Sequence, residues 1–355
     1  MTVLGVFGAG VMGGNHVRTA RALREWSEVY VGDVDSDKAR EVARRNGFRA
    51  RDLAKADLDA AIVAVPSDLH EEVVLPLLDR GVHVLLEKPV AQELGSAQRI
   101  LDAARDSESR VVVGHVERFN SAVSELLKWA PKAQHVEFRR VGPAGGRALG
   151  DVVSDLMVHD LDLLLAISRA RDGHDHITRC SAQWGAGNQE TCSALLTTDG
   201  GLTSLVVASR AGQMKDRQVV LTCPDAVVVA DLVRQQVSVH RMERMEFVDD
   251  GGTVRFRQTS TTETRSSTTA SRSSASSGTS STSWRTGPLR PCRSATASRR
   301  CSSWSGCGRR RPGAEAGVRD PCPEAPWRAT APVAATIRCV ISSERTTQCS
   351  KSTGR

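Results

Sequence analysis

The chain has 355 residues, of which 40% are hydrophobic and 4% aromatic, and its formal net charge is +7. This length is sufficient for two domains. Residues 258–355 contain 16 basic and five acidic residues, which leaves residues 1–257 with a net charge of −4. The positive charge therefore argues against a nucleic-acid-binding surface on the body of the chain.

The cysteines are divided in the same uneven way. Cys180, Cys192 and Cys223 lie within residues 1–257, and the other six lie in residues 258–355 without the paired spacing of a metal site. No leader precedes the apolar strand that begins at Val3, and no apolar run reaches the ~18 residues of a membrane span. We therefore expect a cytoplasmic protein with free thiols and no membrane contact.

The first predicted strand leads into a glycine-rich loop, Gly-Ala-Gly-Val-Met-Gly at residues 8–13, which a helical pattern follows. A strand before, a helix after and an acid about 20 residues later together form a dinucleotide-binding fingerprint. The first glycine allows a tight turn, the second lets the backbone approach a pyrophosphate, and the third lets helix and strand pack closely. The predicted cofactor contacts in this loop are Gly8, Gly10, Val11, Met12 and Gly13.

The acid of the fingerprint is Asp33, at the end of the next predicted strand. Its carboxylate is expected to bind the ribose hydroxyls of the cofactor and to repel a 2′-phosphate. This favours NAD over NADP. Lys38 and Arg40 follow closely, so NADP remains an alternative.

Strands and helices continue to alternate along the first domain. Near-continuously apolar strands at 58–66, 82–89 and 110–116 alternate with predicted helices at 68–81 and 97–106. This order predicts a parallel sheet covered on both faces, with ligands beyond the carboxyl ends of the strands. The residues at those strand ends are Pro66, Ser67, Glu87, Lys88 and His115.

Four segments together resemble the Gfo/Idh/MocA family of oxidoreductases: the glycine loop, VAVPSDLH (63–70), LLEKPVA (85–91) and VGHVERFN (113–120). The resemblance covers residues 1–257. It implies a Rossmann domain with a doubly wound parallel sheet, followed by an α+β domain with an open, mainly antiparallel sheet. It also implies cofactor contacts from Pro66, Ser67, His70, Glu87 and Lys88. Glu87 would lie near the nicotinamide ribose and Lys88 at the reacting hydroxyl; a surface ion pair is the alternative.

Residues 150–168 are predicted to form a helix. Asp155, His159 and Asp162 are spaced by four and three residues, which places them on one helical face. The resemblance implies that His159 is the general base and that Asp155 orients His159 or holds the lysine. An unperturbed imidazole pKa near 6.5 suits proton transfer at neutral pH, and Lys88 would stabilise the developing alkoxide. The alternative is a structural pair in which an acid supports a histidine.

The predicted substrate contacts are His115, Arg118, Asn120 and Asp162. Arg118 has another interpretation, in which it pairs with Glu117 or Asp160. No metal site is predicted, because His174 and His176 lack an accompanying ligand cluster and fit a solvated loop.

Predicted strands at 176–186, 191–210, 217–232 and 235–243, with intervening turns, indicate an open antiparallel sheet. One face is expected to pack on the helix at 150–168, and the other to form a homo-oligomer surface. The predicted domains are a dinucleotide-binding domain at 1–118 and an α+β substrate and oligomerisation domain at 119–257.

The composition changes at residues 258–355, which contain six isoleucine, leucine, valine and phenylalanine residues in total and cannot form a core. We interpret this segment as a low-complexity basic tail that is either disordered or the product of a reading-frame shift near residue 258. GC-rich codons for it can encode amphipathic helices in the neighbouring frame. DNA sequencing distinguishes the two, because stop codons in that frame would exclude the shift.

These features predict an NAD-dependent dehydrogenase that acts on a secondary hydroxyl of a sugar. VGHVERFN resembles the branch that oxidises C3 of nucleotide-linked N-acetylamino sugars, and a myo-inositol or cyclitol 2-dehydrogenase is the alternative. An alternative of another class is a regulator that binds NAD(P) without catalysis. The combination of Lys88, Asp155 and His159 speaks against it, because a sensor does not need a base.

Overall fold

The computed structural model describes residues 2–145, 150–185, 189–249 and 254–266, all within one compact unit. The predicted tail lies outside the described residues from residue 267 onward. The last described strand ends at Ser266, nine residues beyond the predicted domain boundary at 257. None of the helices in the described ranges has both the length and the hydropathy that a membrane crossing requires.

The first domain is built on parallel strands connected by helices. The strands are β1 (Val3–Phe7), β2 (Glu28–Gly32), β3 (Arg49–Ala50), β4 (Ala60–Val63), β5 (His83–Leu86) and β6 (Val111–Val113). The helices are α1 (Val11–Leu23), α2 (Ser36–Asn46), α3 (His70–Asp79) and α4 (Leu94–Asp106). The strand order is β3-β2-β1-β4-β5-β6 and every pair is parallel, so the predicted doubly wound sheet is confirmed.

Alternation along β1 shows why this sheet is covered on both faces. Leu4 and Val6 belong to one hydrophobic cluster, whereas Val3 and Phe7 pack against another. Because successive residues of a strand point to opposite faces, the two clusters lie on opposite sides of the sheet. The polar residues that follow the carboxyl ends of the strands therefore lie at the edge of the sheet and not in either hydrophobic cluster.

The second domain is an α+β unit. Its helices are α5 (Ser121–Leu127) and α6 (Val158–Asp172). Its strands are β7 (His135–Pro143), β8 (Ile177–Trp184), β9 (Thr191–Thr198), β10 (Thr203–Ser209), β11 (Ala211–Thr222), β12 (Val227–Asp231), β13 (Gln236–Asp249) and β14 (Val254–Ser266). They form one sheet in the order β14-β13-β12-β11-β7-β10-β9-β8, in which only β7 and β10 are parallel neighbours. The predicted open, mainly antiparallel sheet is confirmed.

Helix α6 covers one face of the second sheet. Leu161, Leu164 and Ile167 join a core cluster with Phe138 of β7 and Val206 of β10. The turn before α6, Val153–Met157, is a π-helix, so the predicted helix at 150–168 changes hydrogen-bonding pattern within its length. The turn and α6 together carry the candidate catalytic residues of this domain.

Candidate active site

The glycine loop leaves the start of α1 open to an anion. Gly8 has φ +93°, and a Cβ there would lie 2.5 Å from the Ala64 carbonyl oxygen. A Cβ at Gly13 would lie 1.7 Å from the Gly8 carbonyl oxygen, so both positions require glycine. A Cβ built at Gly10 meets no atom within 4 Å. This geometry fits a pyrophosphate at the helix N-terminus.

Asp33 stands beside this loop at the end of β2. Its Oδ2 accepts the Ala9 N–H at 2.6 Å and its Oδ1 accepts the Asp35 N–H at 2.9 Å. Val11 and Met12 are exposed in the first turn of α1. The fingerprint residues therefore converge on one open edge of the sheet, as expected for a dinucleotide site.

Glu87 has a partner that sequence reasoning missed. His16 of α1 places its Nε2 2.6 Å from Glu87 Oε1, and both side chains are largely buried. Gly114 makes room for this pair, because a Cβ there would lie 3.2 Å from the Glu87 carboxyl group. His16 follows the third glycine of the fingerprint by three residues, so helical spacing was the available signal. The contact fixes the carboxylate that precedes Lys88.

Lys88 connects the two domains. Its ammonium Nζ donates to the main-chain oxygen of Asp155 at 2.8 Å and to Asp155 Oδ1 at 3.3 Å. Asp155 Oδ2 accepts from Nη2 of Arg210 at 3.2 Å, and this buried guanidinium also donates to the Gly150 and Asp151 carbonyl oxygens. Asp155 thus holds the lysine, which is one of its two predicted roles. An ammonium has three N–H donors, and the bonds to Asp155 use two of them among the described residues.

His159 lies in a buried, electropositive part of the site. Burial, and then the charge of Lys88, lower its pKa well below the ordinary value of 6.5, with further contributions from Arg140, His115 and Arg217. Its Nδ1 is buried without a hydrogen-bond partner in the described part of the chain. The imidazole is therefore neutral at pH 7, which is the form that accepts a proton.

A buried ion network supports the helix that carries His159. Arg140 of β7 bonds Asp160 of α6 through Nε and Nη2 at 2.8–3.0 Å, and its Nη1 donates to Glu117 at 2.9 Å. Arg217 of β11 donates to the same Glu117 oxygen at 3.1 Å. Burial is the largest single influence and opposes the charge on Arg140, but the Asp160 and Glu117 carboxylates together outweigh it, so the pKa of Arg140 is raised. The network joins the segment after β6 to the sheet and to α6.

Arg118 and Asp162 bond each other. Arg118 Nε donates to Asp162 Oδ2 at 2.7 Å and its Nη2 to Oδ1 at 2.5 Å. Asp162 is buried, and His115 Nε2 lies 3.6 Å from it. Burial lowers the pKa of His115, and its Nδ1 has no hydrogen-bond partner among the described residues. Arg118 and His115 therefore remain candidate substrate contacts, with Asp162 as their anchor.

The polar groups of two predicted contacts, His70 and Asn120, bond other parts of the protein. His70 is buried, and its ring nitrogens lie 3.0 and 3.1 Å from the Val90 and Val65 carbonyl oxygens. Asn120 accepts the Ala122 N–H as the N-cap of α5 and donates to the Leu232 carbonyl oxygen. Pro66 is the N-cap of the 3₁₀ turn Ser67–Leu69, which lies between β4 and α3, and the Ser67 hydroxyl accepts from Gln92 Nε2 at 3.3 Å.

Comparison with known proteins identifies relatives among nucleotide-sugar dehydrogenases and among inositol dehydrogenases. The family model Gfo/Idh/MocA, described as an oxidoreductase family with an NAD-binding Rossmann fold, matches residues 3–115. UDP-N-acetylglucosamine 3-dehydrogenase of Acidithiobacillus ferrooxidans is 27% identical over 243 residues, 66% of this chain and 76% of the relative. Inositol 2-dehydrogenase 3 of Saccharopolyspora erythraea is 34% identical over 179 residues, 46% of this chain and 53% of the relative. The chain thus spans about half the length of this inositol dehydrogenase.

Solved structures of dehydrogenases also match this chain. The structure of the Acidithiobacillus ferrooxidans enzyme matches with a TM-score of 0.63 at 25% identity and covers 72% of this chain and 82% of that one. Levoglucosan dehydrogenase in complex with NADH and L-sorbose matches with a TM-score of 0.58 at 18% identity, covering 73% of this chain and 80% of that one. The second match concerns the fold alone.

Proposed function

The chain belongs to the Gfo/Idh/MocA family of NAD-binding oxidoreductases, and from this premise we propose that it oxidises the C3 hydroxyl of a nucleotide-linked N-acetylamino sugar. The observation that supports this most is the Lys88 ammonium, which is held by Asp155 across the domain junction and acts on His159 more strongly than any other charge. A cation and a neutral imidazole around one crevice are the groups that alcohol oxidation requires.

The open edge of the first sheet fits NAD. The loop at residues 8–13 would hold the pyrophosphate and Asp33 the adenosine ribose, while Glu87, fixed by His16, would lie near the nicotinamide ribose. When bound, NAD supplies the hydride acceptor for the alcohol carbon. The carboxylate of Asp33 favours NAD over NADP through repulsion of a 2′-phosphate.

The residues of the chain would handle the proton and the developing charge. His159 takes the proton from the reacting hydroxyl, because its lowered pKa keeps the ring neutral. The third N–H of Lys88 donates to the same oxygen and stabilises the negative charge as it develops. Asp155 and Arg210 keep the ammonium in position rather than contact the reacting atoms.

A substrate panel tests this function. With NAD present, NADH formation should appear with UDP-N-acetylglucosamine and exceed the rate with myo-inositol. A higher rate with myo-inositol would favour the cyclitol 2-dehydrogenase, because inositol 2-dehydrogenases are also relatives. Bound NAD without oxidation of either substrate would contradict the proposal and favour the non-catalytic regulator.

The lowered pKa of His159 predicts the pH profile of oxidation. Because burial, and then Lys88, disfavour the imidazolium, kcat/KM for the sugar should not fall as the pH decreases through 6.5. The acid limb should appear only at a lower pH. The measurement is kcat/KM at saturating NAD between pH 5 and 9, about the range in which imidazoles titrate. An acid limb at or above 6.5 would contradict a buried, neutral base.

We also propose a homo-oligomer through the face of the second sheet opposite α6, and a reducing, cytoplasmic location. Leu195 is exposed on this outer face and lies directly opposite Leu205 on the neighbouring strand. The reducing location is proposed because the described cysteines, Cys180, Cys192 and Cys223, are all free thiols. Sedimentation velocity should show an oligomer that Leu195→Glu dissociates, and a monomeric wild type would contradict the assignment.

A further inference from the structure

Arg217 lies on the face of the second sheet that α6 covers. It pairs with Arg140 across β11 and β7, and the next residues of the same parity, Val219 and Leu221, are buried in the core. Asp216, of opposite parity, bonds the exposed Arg139 on the outer face. Since strand residues alternate between faces, the Arg217 side chain points inward, beside the helix that carries His159.

Arg217 differs from its neighbour Arg140 in exposure and in unused donors. The Arg140 side chain is 2% exposed and its guanidinium bonds two carboxylates, whereas the Arg217 side chain is 30% exposed. The described part of the chain provides one side-chain partner for Arg217, the Glu117 oxygen at 3.1 Å from Nη1. A guanidinium has five N–H donors in a planar fork, and no side-chain bond to Nη2 or Nε of Arg217 is seen in the described part of the chain.

The surroundings place this guanidinium at the catalytic cluster. Its charge acts on His159, on Asp155 and on Asp160. The other cations near His159 have carboxylates of their own, since Lys88 bonds Asp155 and Arg140 bonds Asp160. Arg217 shares Glu117 with Arg140, which leaves it the cation with the most bonding capacity for a ligand.

We propose that Arg217 binds an anionic group of the substrate and thereby selects phosphorylated or nucleotide-linked sugars over uncharged sugars and cyclitols. This inference rests on the proposed function, because it assigns the substrate class of the same site. An arginine fork is suited to phosphate oxygens, which it binds in a bidentate manner. The reacting hydroxyl would meet Lys88 and His159 while the diphosphate meets Arg217 at the inner face of the sheet.

The test compares two substrates that differ in charge. UDP-N-acetylglucosamine carries a diphosphate, and methyl α-N-acetylglucosaminide has the same sugar ring with a neutral, blocked anomeric position. Arg217→Gln should lower kcat/KM for the nucleotide sugar by about 10- to 100-fold, the effect of losing a hydrogen bond to a charged group. The methyl glycoside should lose much less than the nucleotide sugar, because it carries no diphosphate, and Arg217→Lys, which keeps the charge and loses the fork, should lie between wild type and Arg217→Gln. Equal losses with both substrates, or no loss with the nucleotide sugar, would overturn the proposal.

Two further measurements separate this inference from the proposed function. Arg169→Gln is the matched control, because Arg169 is also 30% exposed, has an ion pair with Asp175 and lies ten residues along α6 from His159. It should leave both kcat/KM values unchanged, and the same selective loss in it would overturn the assignment to Arg217. Calorimetric binding of UDP to the NADH-loaded protein should weaken in Arg217→Gln. If wild type binds UDP in an Arg217-dependent way but oxidises no sugar, the proposed function fails and the anion site stands; unchanged UDP binding in Arg217→Gln overturns the anion site.

Discussion

Replacing Lys88 with methionine should lower kcat for sugar oxidation about 10³-fold, the upper range for the loss of one donor to a developing oxyanion. The methionine keeps most of the apolar stem but removes the charge that Asp155 holds at the domain junction. NADH affinity should remain within about threefold of wild type, since the lost interaction forms in the transition state. Steady-state rates and fluorescence titration with NADH measure the two effects.

Lys132→Met is the matched control for this loss. Lys132 also bonds an aspartate, Asp225, but both of these side chains are exposed. It should retain the wild-type kcat. His159→Ala should resemble Lys88→Met, with the loss in kcat and not in NADH binding. Near-normal turnover in Lys88→Met would show that the lysine has no role in the chemical step.

Replacing Arg140 with methionine should lower the free energy of unfolding by roughly 3–5 kcal/mol, because it leaves Asp160 buried without its partner. For a domain of this size the melting temperature should fall by about 10 °C. The loss arises from uncompensated buried charge, since Arg140 bonds two carboxylates at 2.8–3.0 Å. Thermal and urea denaturation measure it.

The neighbouring Arg139→Met is its control. Arg139 is on the opposite face of the same strand, its side chain is 57% exposed, and it bonds Asp216. An exposed ion pair contributes at most about 1 kcal/mol, so this variant should melt near the wild-type temperature. Arg140→Met combined with Asp160→Leu should recover part of the loss, because the unpaired buried carboxylate is removed with its partner. If Arg140→Met and Arg139→Met lower the free energy of unfolding equally, the buried network contributes no more to stability than the exposed ion pair.

The first domain was largely predictable because its constraints are local. Gly8 and Gly13 are required by the contacts of 2.5 and 1.7 Å that a Cβ would make there, and the same positions carry the motif in the sequence. Strands β1, β4 and β5 are apolar runs that alternate with helices, so the parallel sheet and the edge at its carboxyl ends followed from the pattern. The second sheet was predicted less completely from the sequence, and its central strand β7 was not predicted. Two adjacent arginines, Arg139 and Arg140, interrupt the apolar alternation there, and the inward one is buried as an ion.

The sequence predicts candidate site residues, but it does not predict the contacts among them. His16 and Glu87 are 71 residues apart, and Arg210 and Asp155 are 55 apart, so no local pattern pairs the two members of either contact. The spacing of Asp155 and His159 suggested an ordinary α-helix, whereas the structure has a π-helical turn that places the Asp155 carbonyl oxygen 2.8 Å from the lysine. Asn120 and His70 belong to suggestive motifs, but tertiary packing uses their polar groups in a cap and in backbone bonds.

A crystal structure of the ternary complex with NADH and UDP-N-acetylglucosamine would test most directly whether one lysine and one histidine, from different domains, act on the same alcohol. We expect Lys88 Nζ and a ring nitrogen of His159 to lie within about 3.2 Å of a single sugar hydroxyl oxygen. If that oxygen contacts neither group, or if the two nitrogens bind different parts of the ligand, the assignment of donor and base is contradicted.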